Sequence, residues 1–224
     1  MRRFQMVVRE SFDSSLQELQ EKMMEMGELT GTLIEKSFIA LQNQDIKLAL
    51  RVIEDDDEID DMQNEIDQLA IWLIVKEQPV ARDLRKIIGA IKILTDVERV
   101  ADFGVNIAKS TIQIGNAHSL IHLTDLESMK NRCISMLEKS LQAFFEENIS
   151  LAKEVGDMDD QIDDLSDANY KKLSAYLSEH PEETNQLVQL ILVNRHLERT
   201  ADHITNIAES AAYLIKGKKY DLNP

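Results

Sequence analysis

Apolar residues recur at three- and four-residue steps along almost the whole chain, the period of amphipathic helices rather than strands. From Val8 to Leu41 they fall at Phe12, Leu16, Leu19, Met23, Met26, Leu29, Leu33, Ile34, Ile39 and Leu41, and predict one long first helix. Gly27 and Gly31 inside it read as points of close approach to a neighbouring helix rather than as a bend. A break at Asn43–Asp45 leads to a second helix, Ile46 to Lys76. Its stripe (Val52, Ile59, Met62, Ile66, Leu69, Leu73) mostly alternates steps of three and four, as in coiled-coil-like bundles. Gln78-Pro79 ends that helix, because proline resists continuing a helix but suits the first turn of the next. A third helix is predicted from Val80 to Ile112.

The plan then repeats. Gly115-Asn116 and the polar residues up to Thr124 read as a linker, and Thr124-Asp125-Leu126-Glu127 has the spacing of a capping box. A helix to Ser150, another from Leu151 to Glu179, a turn at His180-Pro181 and a last helix from Glu183 to Ile215 follow. At ~1.5 Å per residue the full-length helices are roughly 45–50 Å long, and tight turns between them make antiparallel bundles. The expected fold is all-α: two tandem three-helix repeats, residues 1–115 and 123–217, joined by 116–122 and followed by a loose tail, 218–224.

The repeat is also written in the residues. Glu98–Lys109, ERVADFGVNIAK, returns at Glu198–Glu209 as ERTADHITNIAE, with seven of twelve positions identical at a constant offset of 100. A fixed register without gaps marks an internal duplication. In each copy Glu, Asp and Asn stand four apart, as Glu98, Asp102, Asn106 and Glu198, Asp202, Asn206, on one helical face.

Composition narrows the function. Seven Gly, three Pro and 5% aromatics suit an all-helical chain, and the formal charge of −16 argues against nucleic acid or an anionic membrane surface as partner. A single cysteine, Cys133, excludes an internal disulfide and fits a reducing compartment. No apolar run has the length of a spanning helix, and the N-terminus lacks a signal-peptide core, so a cytoplasmic protein is expected.

Acidic residues are concentrated on the second helix of each repeat: nine of the fourteen residues at Glu54–Asp67, and six of the eleven at Asp157–Asp167, neither run with a Lys or Arg. Counted from the proline turns, Asp60 lies 18 residues before Gln78 and Glu98 lies 20 after; Asp56 lies 22 before and Asp102 lies 24 after. From His180 the corresponding counts are 17 and 18 for Asp163 and Glu198, and 21 and 22 for Asp159 and Asp202. Across an antiparallel pair these become neighbours, so four carboxylates assemble twice. Such a group does not stay fully ionised without compensation; raised pKa values, bridging Arg or Lys, or metal ions are the solutions. Arg99 and Arg199, next to the glutamates, are the arginine candidates. All-oxygen ligation favours magnesium, calcium, manganese or ferric iron over zinc, with Asn106 and Asn206 available as a further ligand or support.

Other chemistry finds no footing. Glu-x-x-His of di-iron bundles is absent, as are phosphate-binding glycine loops and Ser/His/Asp sets, so no enzymatic activity is expected. His118 and His122 are spaced HxxxH in the linker, His203 points off the carboxylate face, and Cys133 and Trp72 read as packing residues.

The two copies of ERxxDxxxNIA, together with KEQPVARDLRKIIGAIKILTDVERVAD at Lys76–Asp102, resemble the PhoU family of phosphate-transport regulators over essentially the whole chain. The resemblance implies a cytoplasmic six-helix regulator that restrains the phosphate-starvation response. Its implied partners are the ATPase subunit of the phosphate ABC transporter and a membrane sensor histidine kinase. It also implies metal clusters of iron, zinc, magnesium or manganese at Asp56, Asp60, Glu98 and Asp102, and at Asp159, Asp163, Glu198 and Asp202. Glu54 and Glu58, whose counterparts 103 residues on are Asp157 and Gln161, are weaker candidates. The alternative is an acidic helical adaptor for another phosphate or ion transporter, its carboxylates merely solvated. Apolar flanks on the long helices leave room for a homodimer.

Overall fold

The computed structural model describes residues 2–217 and Leu222, with side chains from Phe12 onward except that of His118. The described residues form helices and turns without a strand: α1 (Arg2–Asn43), α2 (Ile46–Glu77), α3 (Arg82–Ile114), a single-turn α4 (His118–Ile121), α5 (Leu126–Phe145), α6 (Ile149–Glu179) and α7 (Thr184–Lys216). A 3-10 turn, Pro181–Glu183, precedes α7 with proline at its start. α1, α2 and α3 pack together as one bundle, and α5, α6 and α7 as the other.

The helix stripes do the packing. In α2 the residues Val52, Ile59, Ile66 and Leu73 are all buried at an interval of seven, a coiled-coil seam against its neighbours. Gly27 allows the close approach expected of it, since a Cβ there would collide with Leu141 Cδ1 on α5. In α1 the stripe bends off the expected line: Phe38 is buried, whereas Ile39 is on the exposed side. Trp72 departs further. It is 45% exposed, with the Lys76 ammonium 4.1 Å from its ring centre, so it is a surface cation–π pair and no core residue.

Three local expectations change. The capping box does not form: Thr124 donates its hydroxyl to Ile121 O at 2.7 Å and its N–H to the same oxygen at 3.1 Å, while the Asp125 N–H at the head of α5 goes to Asn169 Oδ1 of α6 at 2.8 Å. α5 stops at Phe145 rather than running to Ser150, because Glu147 takes a left-handed φ of 52° and Asn148 caps α6 by accepting from Ser150 N and Leu151 N. The segment 116–122 is not purely a polar linker, since Ala117, Leu120 and Ile121 are buried around α4. Of the expected loose tail, Lys218–Asp221, Asn223 and Pro224 lie outside the described residues; Leu222 packs at Gly156 and donates its N–H to Glu209 Oε1 at 2.9 Å.

The two bundles are fused along α3 and α7, the most extensive helix pair in the molecule. Residue 96 of α3 meets 203 of α7, 103 meets 196, and 113 meets 185 and 189. Rising numbers on one helix meet falling numbers on the other, so α3 and α7 run antiparallel and are related by a pseudo-twofold axis near Val100 and Thr200. The duplication persists to the level of single side chains: residues 91–100 and 191–200 show the same order of buried, half-buried and exposed positions.

Candidate functional site

The two carboxylate groups lie where α2 faces α3 and where α6 faces α7. In the first repeat Asp56 feels Asp60, Asp102 and Glu98, and Glu98 feels Asp102 and Asp60. In the second, Asp159 feels Asp163 and Asp202, and Glu198 feels Asp202 and Asp163. The eight residues therefore fall into two neighbourhoods of four within electrostatic range of one another, each drawn from the helix pair that the turn counts matched.

Burial and like charge act on them together. Burial, then the Asp60 carboxylate, raise Asp56 to about 6. Asp159, only 1% exposed, is raised to about 7 by burial, then by Asp163 and Asp202. Burial followed by the Asp202 charge also raises Asp163 and Glu198, and burial followed by the Asp102 charge raises Glu98. Two carboxylate oxygens of the second group, Asp159 Oδ1 and Glu198 Oε2, are buried without a hydrogen bond of good geometry, although the Thr205 hydroxyl lies near enough to Asp159 to favour its charge. A buried acceptor of this kind costs free energy until a proton, a donor or a cation reaches it.

The arginines divide the two groups. Arg99 Nη1 donates to Asp102 Oδ2 at 2.6 Å and its Nε is 3.6 Å from Glu98 Oε2, so it partly neutralises the first group. Arg199 does nothing equivalent; its guanidinium lies over the Phe103 ring at 5.4 Å, and Arg195 contacts Glu198 instead. Asn106 is half-buried one turn beyond Asp102, whereas Asn206 reaches across to α3 and donates to Asp96 Oδ1 at 3.4 Å. His203, which sequence placed off the carboxylate face, sets its Nδ1 3.0 Å from that same Asp96 oxygen and is close enough to Glu98 to favour its charge. Asp96 and Arg195 escaped the sequence reading, although both lie three residues or fewer from a motif glutamate. Only the pairing of α3 with α7 brings Asp96 into play.

Among the described residues no three His, Cys, Asp or Glu side chains stand, in their present rotamers, arranged to hold a metal ion. Cys133 is buried and donates to Leu197 O at 3.4 Å, and burial pushes its thiol far up, as befits a packing residue. No helix among the described residues is long and apolar enough to cross a membrane.

Comparison with known proteins places these features. The PhoU domain matches the chain twice, at residues 23–111 and 126–211. The phosphate-specific transport system accessory protein PhoU homolog of Clostridium acetobutylicum is 41% identical over 97% of this chain and 100% of its own length. That of Rhizobium meliloti is 34% identical over 92% of this chain and 88% of its own length. Among solved structures, the phosphate transport system regulatory protein PhoU from Streptococcus pneumoniae superposes with a TM-score of 0.86 at 30% identity, covering 94% of this chain and 99% of that one. PhoU from Pseudomonas aeruginosa gives 0.83 at 29% identity, covering 92% and 100%.

Proposed function

The chain belongs to the PhoU family, and from that premise we propose that it is a cytoplasmic regulator of phosphate homeostasis. In this reading it restrains a phosphate-specific ABC transporter and the two-component response to phosphate starvation. The observation that carries the reading is the end-to-end likeness to accessory proteins of phosphate-specific transport systems, including the twofold domain match. Its partners are the transporter's ATPase subunit and a phosphate-responsive sensor histidine kinase, met through protein contacts without catalysis. Exposed apolar residues such as Ile71, Val75 and Val80 support such contacts or a homodimer.

The scaffold binds metal ions in this reading, one site per repeat. Asp56, Asp60, Glu98 and Asp102 hold the first, and Asp159, Asp163, Glu198 and Asp202 the second. The donor set fits a hard cation: all the ligands are oxygens, several are held towards protonation by burial and then by one another, and Asp159 Oδ1 and Glu198 Oε2 are buried without a hydrogen bond of good geometry. Iron, magnesium or manganese suits such a set better than zinc. A bound cation would supply charge compensation, and the protein's part is to bring two helices' carboxylates to one point.

A second reading has its own support. Arg99 already neutralises part of the first group, which suits an acidic adaptor for another phosphate or ion transporter with no metal there. Metal analysis of protein purified without chelator decides between them. The metal reading expects bound metal, part of it lost in Asp60→Ala/Glu98→Ala and the rest in Asp163→Ala/Glu198→Ala; a metal-free native protein overturns it. For the regulatory role, deletion should derepress phosphate uptake and starvation signalling at high external phosphate. Unchanged uptake and signalling would reject it.

A further inference from the structure

The pseudo-twofold relation of α3 and α7 makes each half of the molecule a control for the other. Between the start of α3 and the end of α7 lies a cavity of about 290 Å³, walled on α3 by Arg85, Ile88, Gly89 and Lys92. Its other wall is Glu209, Ser210, Tyr213 and Leu214 of α7. At the constant offset of 100, the equivalent place is walled by Asn185, Val188, Gln189 and Leu192 against Lys109, Ser110, Gln113 and Ile114. There the helices are stitched together. Asn185 Nδ2 donates to Gln113 O at 2.9 Å and to Ile114 O at 3.3 Å, and Gln189 Nε2 donates to Gln113 Oε1 at 3.3 Å.

The open half differs at the residues that do the stitching. Gly89 stands for Gln189, Arg85 for Asn185 and Tyr213 for Gln113, and Lys92 replaces Leu192. The fold accommodates the closed version, so it does not require the cavity. Gly89 has a packing use as well, since a Cβ there would meet the Phe144 ring at 3.0 Å. That contact does not account for the two cations. Arg85 and Lys92 are exposed on one face of α3, two turns apart, and neither makes an ion pair among the described residues. The Ser210 hydroxyl, in the wall, is buried without a partner. Tyr213 is 49% and Ile88 54% exposed, leaving apolar surface at the mouth.

Charge and size define the ligand. Two cations against the one carboxylate of Glu209, itself accepting from Leu222 N, leave a single positive charge. That matches a monoanion better than a free phosphate, which carries nearer two charges. The volume is at the lower end of small-molecule sites, and the remaining lining is apolar. We propose that this cavity binds a small organic carboxylate with an apolar body. Arg85 and Lys92 hold the carboxylate, Ser210 offers a buried hydroxyl, and the body lies on Ile88, Tyr213 and Leu214. This site is separate from the carboxylate groups, and its test is independent of metal or of phosphate signalling.

The test is calorimetric titration of the full chain with octanoate, with acetate, octanol and inorganic phosphate as comparators. Octanoate should bind one to one. Acetate, lacking the body, and octanol, lacking the charge, should each bind at least tenfold more weakly, as should phosphate. Arg85→Ala/Lys92→Ala should weaken octanoate at least tenfold with an unchanged melting profile, since neither side chain has a partner to lose among the described residues; Arg85→Lys/Lys92→Arg should restore most of the affinity. Failure of octanoate to bind, equal binding of octanol, or an indifferent Arg85→Ala/Lys92→Ala variant would each overturn the proposal.

Discussion

His203 on α7 sets its Nδ1 3.0 Å from Asp96 Oδ1 on α3, and the pseudo-equivalent positions carry Phe103 stacked on His196 with ring centres 6.0 Å apart. One duplicated contact has diverged into a polar clasp on one side of the axis and an aromatic one on the other. The clasp is half-buried and ties the two repeats together beside Glu98. A double-mutant cycle with Asp96→Ala and His203→Ala should return a coupling of about 1–2 kcal/mol by chemical denaturation near pH 6. Additive effects would show that the clasp contributes nothing beyond its separate parts.

The raised carboxyls fix the direction of a pH effect. Asp56 moves from 3.8 to about 6 on folding and Asp159 from 3.8 to about 7, so the native state holds more protons than the unfolded chain in that interval. Their contribution is fully present below pH 3.8 and disappears as pH rises through about 6 and about 7. Glu147 opposes this at the acid end: burial raises it, but Lys86 and Arg82 more than offset that, so its contribution is lost as pH falls. In chelator, the melting temperature should therefore decline from pH 5.5 to pH 8. In the metal-binding reading, added metal should do most at the alkaline end, where the ligands are deprotonated.

Asp159→Asn separates folding from binding. It keeps the shape of a residue that is 1% exposed while removing a charge that the fold tolerates poorly. At pH 8 the metal-free protein should gain on the order of 1–3 kcal/mol. If the second group holds metal, the same substitution should lower affinity there, so apo stability and metal content move in opposite directions. A metal-free variant less stable than the native protein would show that the ionised carboxylate has a native partner.

A buried polar set distinguishes the second repeat. Asn169 Nδ2 donates to Asn194 Oδ1 at 3.1 Å, Asn194 donates to Ser166, and Asn169 Oδ1 accepts from Asp125 N. The first repeat fills the matching positions with Ile66 and Leu94, both buried. Asn169→Ile alone should cost about 2–3 kcal/mol, because the buried Asn194 Oδ1 loses its donor and the part-buried Asp125 N–H its acceptor. Adding Asn194→Leu should recover at least half of that, whereas additive losses would mean that the two asparagines act independently.

The helices, their proline turns and the pairing of carboxylates across α2–α3 and α6–α7 were legible because local periodicity and residue counts determine them. What could not be read were contacts made between repeats. Asp96 looks like one more acidic residue until α7 brings His203 and Asn206 to it. The start of α5 misled for a local reason: Thr124 and Glu127 have capping-box spacing, but Thr124 turns both its hydroxyl and its N–H back to Ile121 O. Trp72 failed differently, since an indole beside an apolar stripe is equally at home under a lysine on the surface. The two arginines at equivalent places, Arg99 and Arg199, also part company because one finds Asp102 and the other finds an aromatic ring.

The antiparallel union of α3 with α7 has a consequence for the ancestry and the handling of this chain. Each half presents to the other a surface that a free three-helix unit would have to leave bare: Phe103 against His196 and His203, Asp96 against His203 and Asn206, and Gln113 against Asn185 and Gln189. The molecule is thus a symmetric dimer whose two subunits have been spliced into one polypeptide. Cut between Gly115 and Thr124, it should yield fragments that associate with each other rather than two self-sufficient domains.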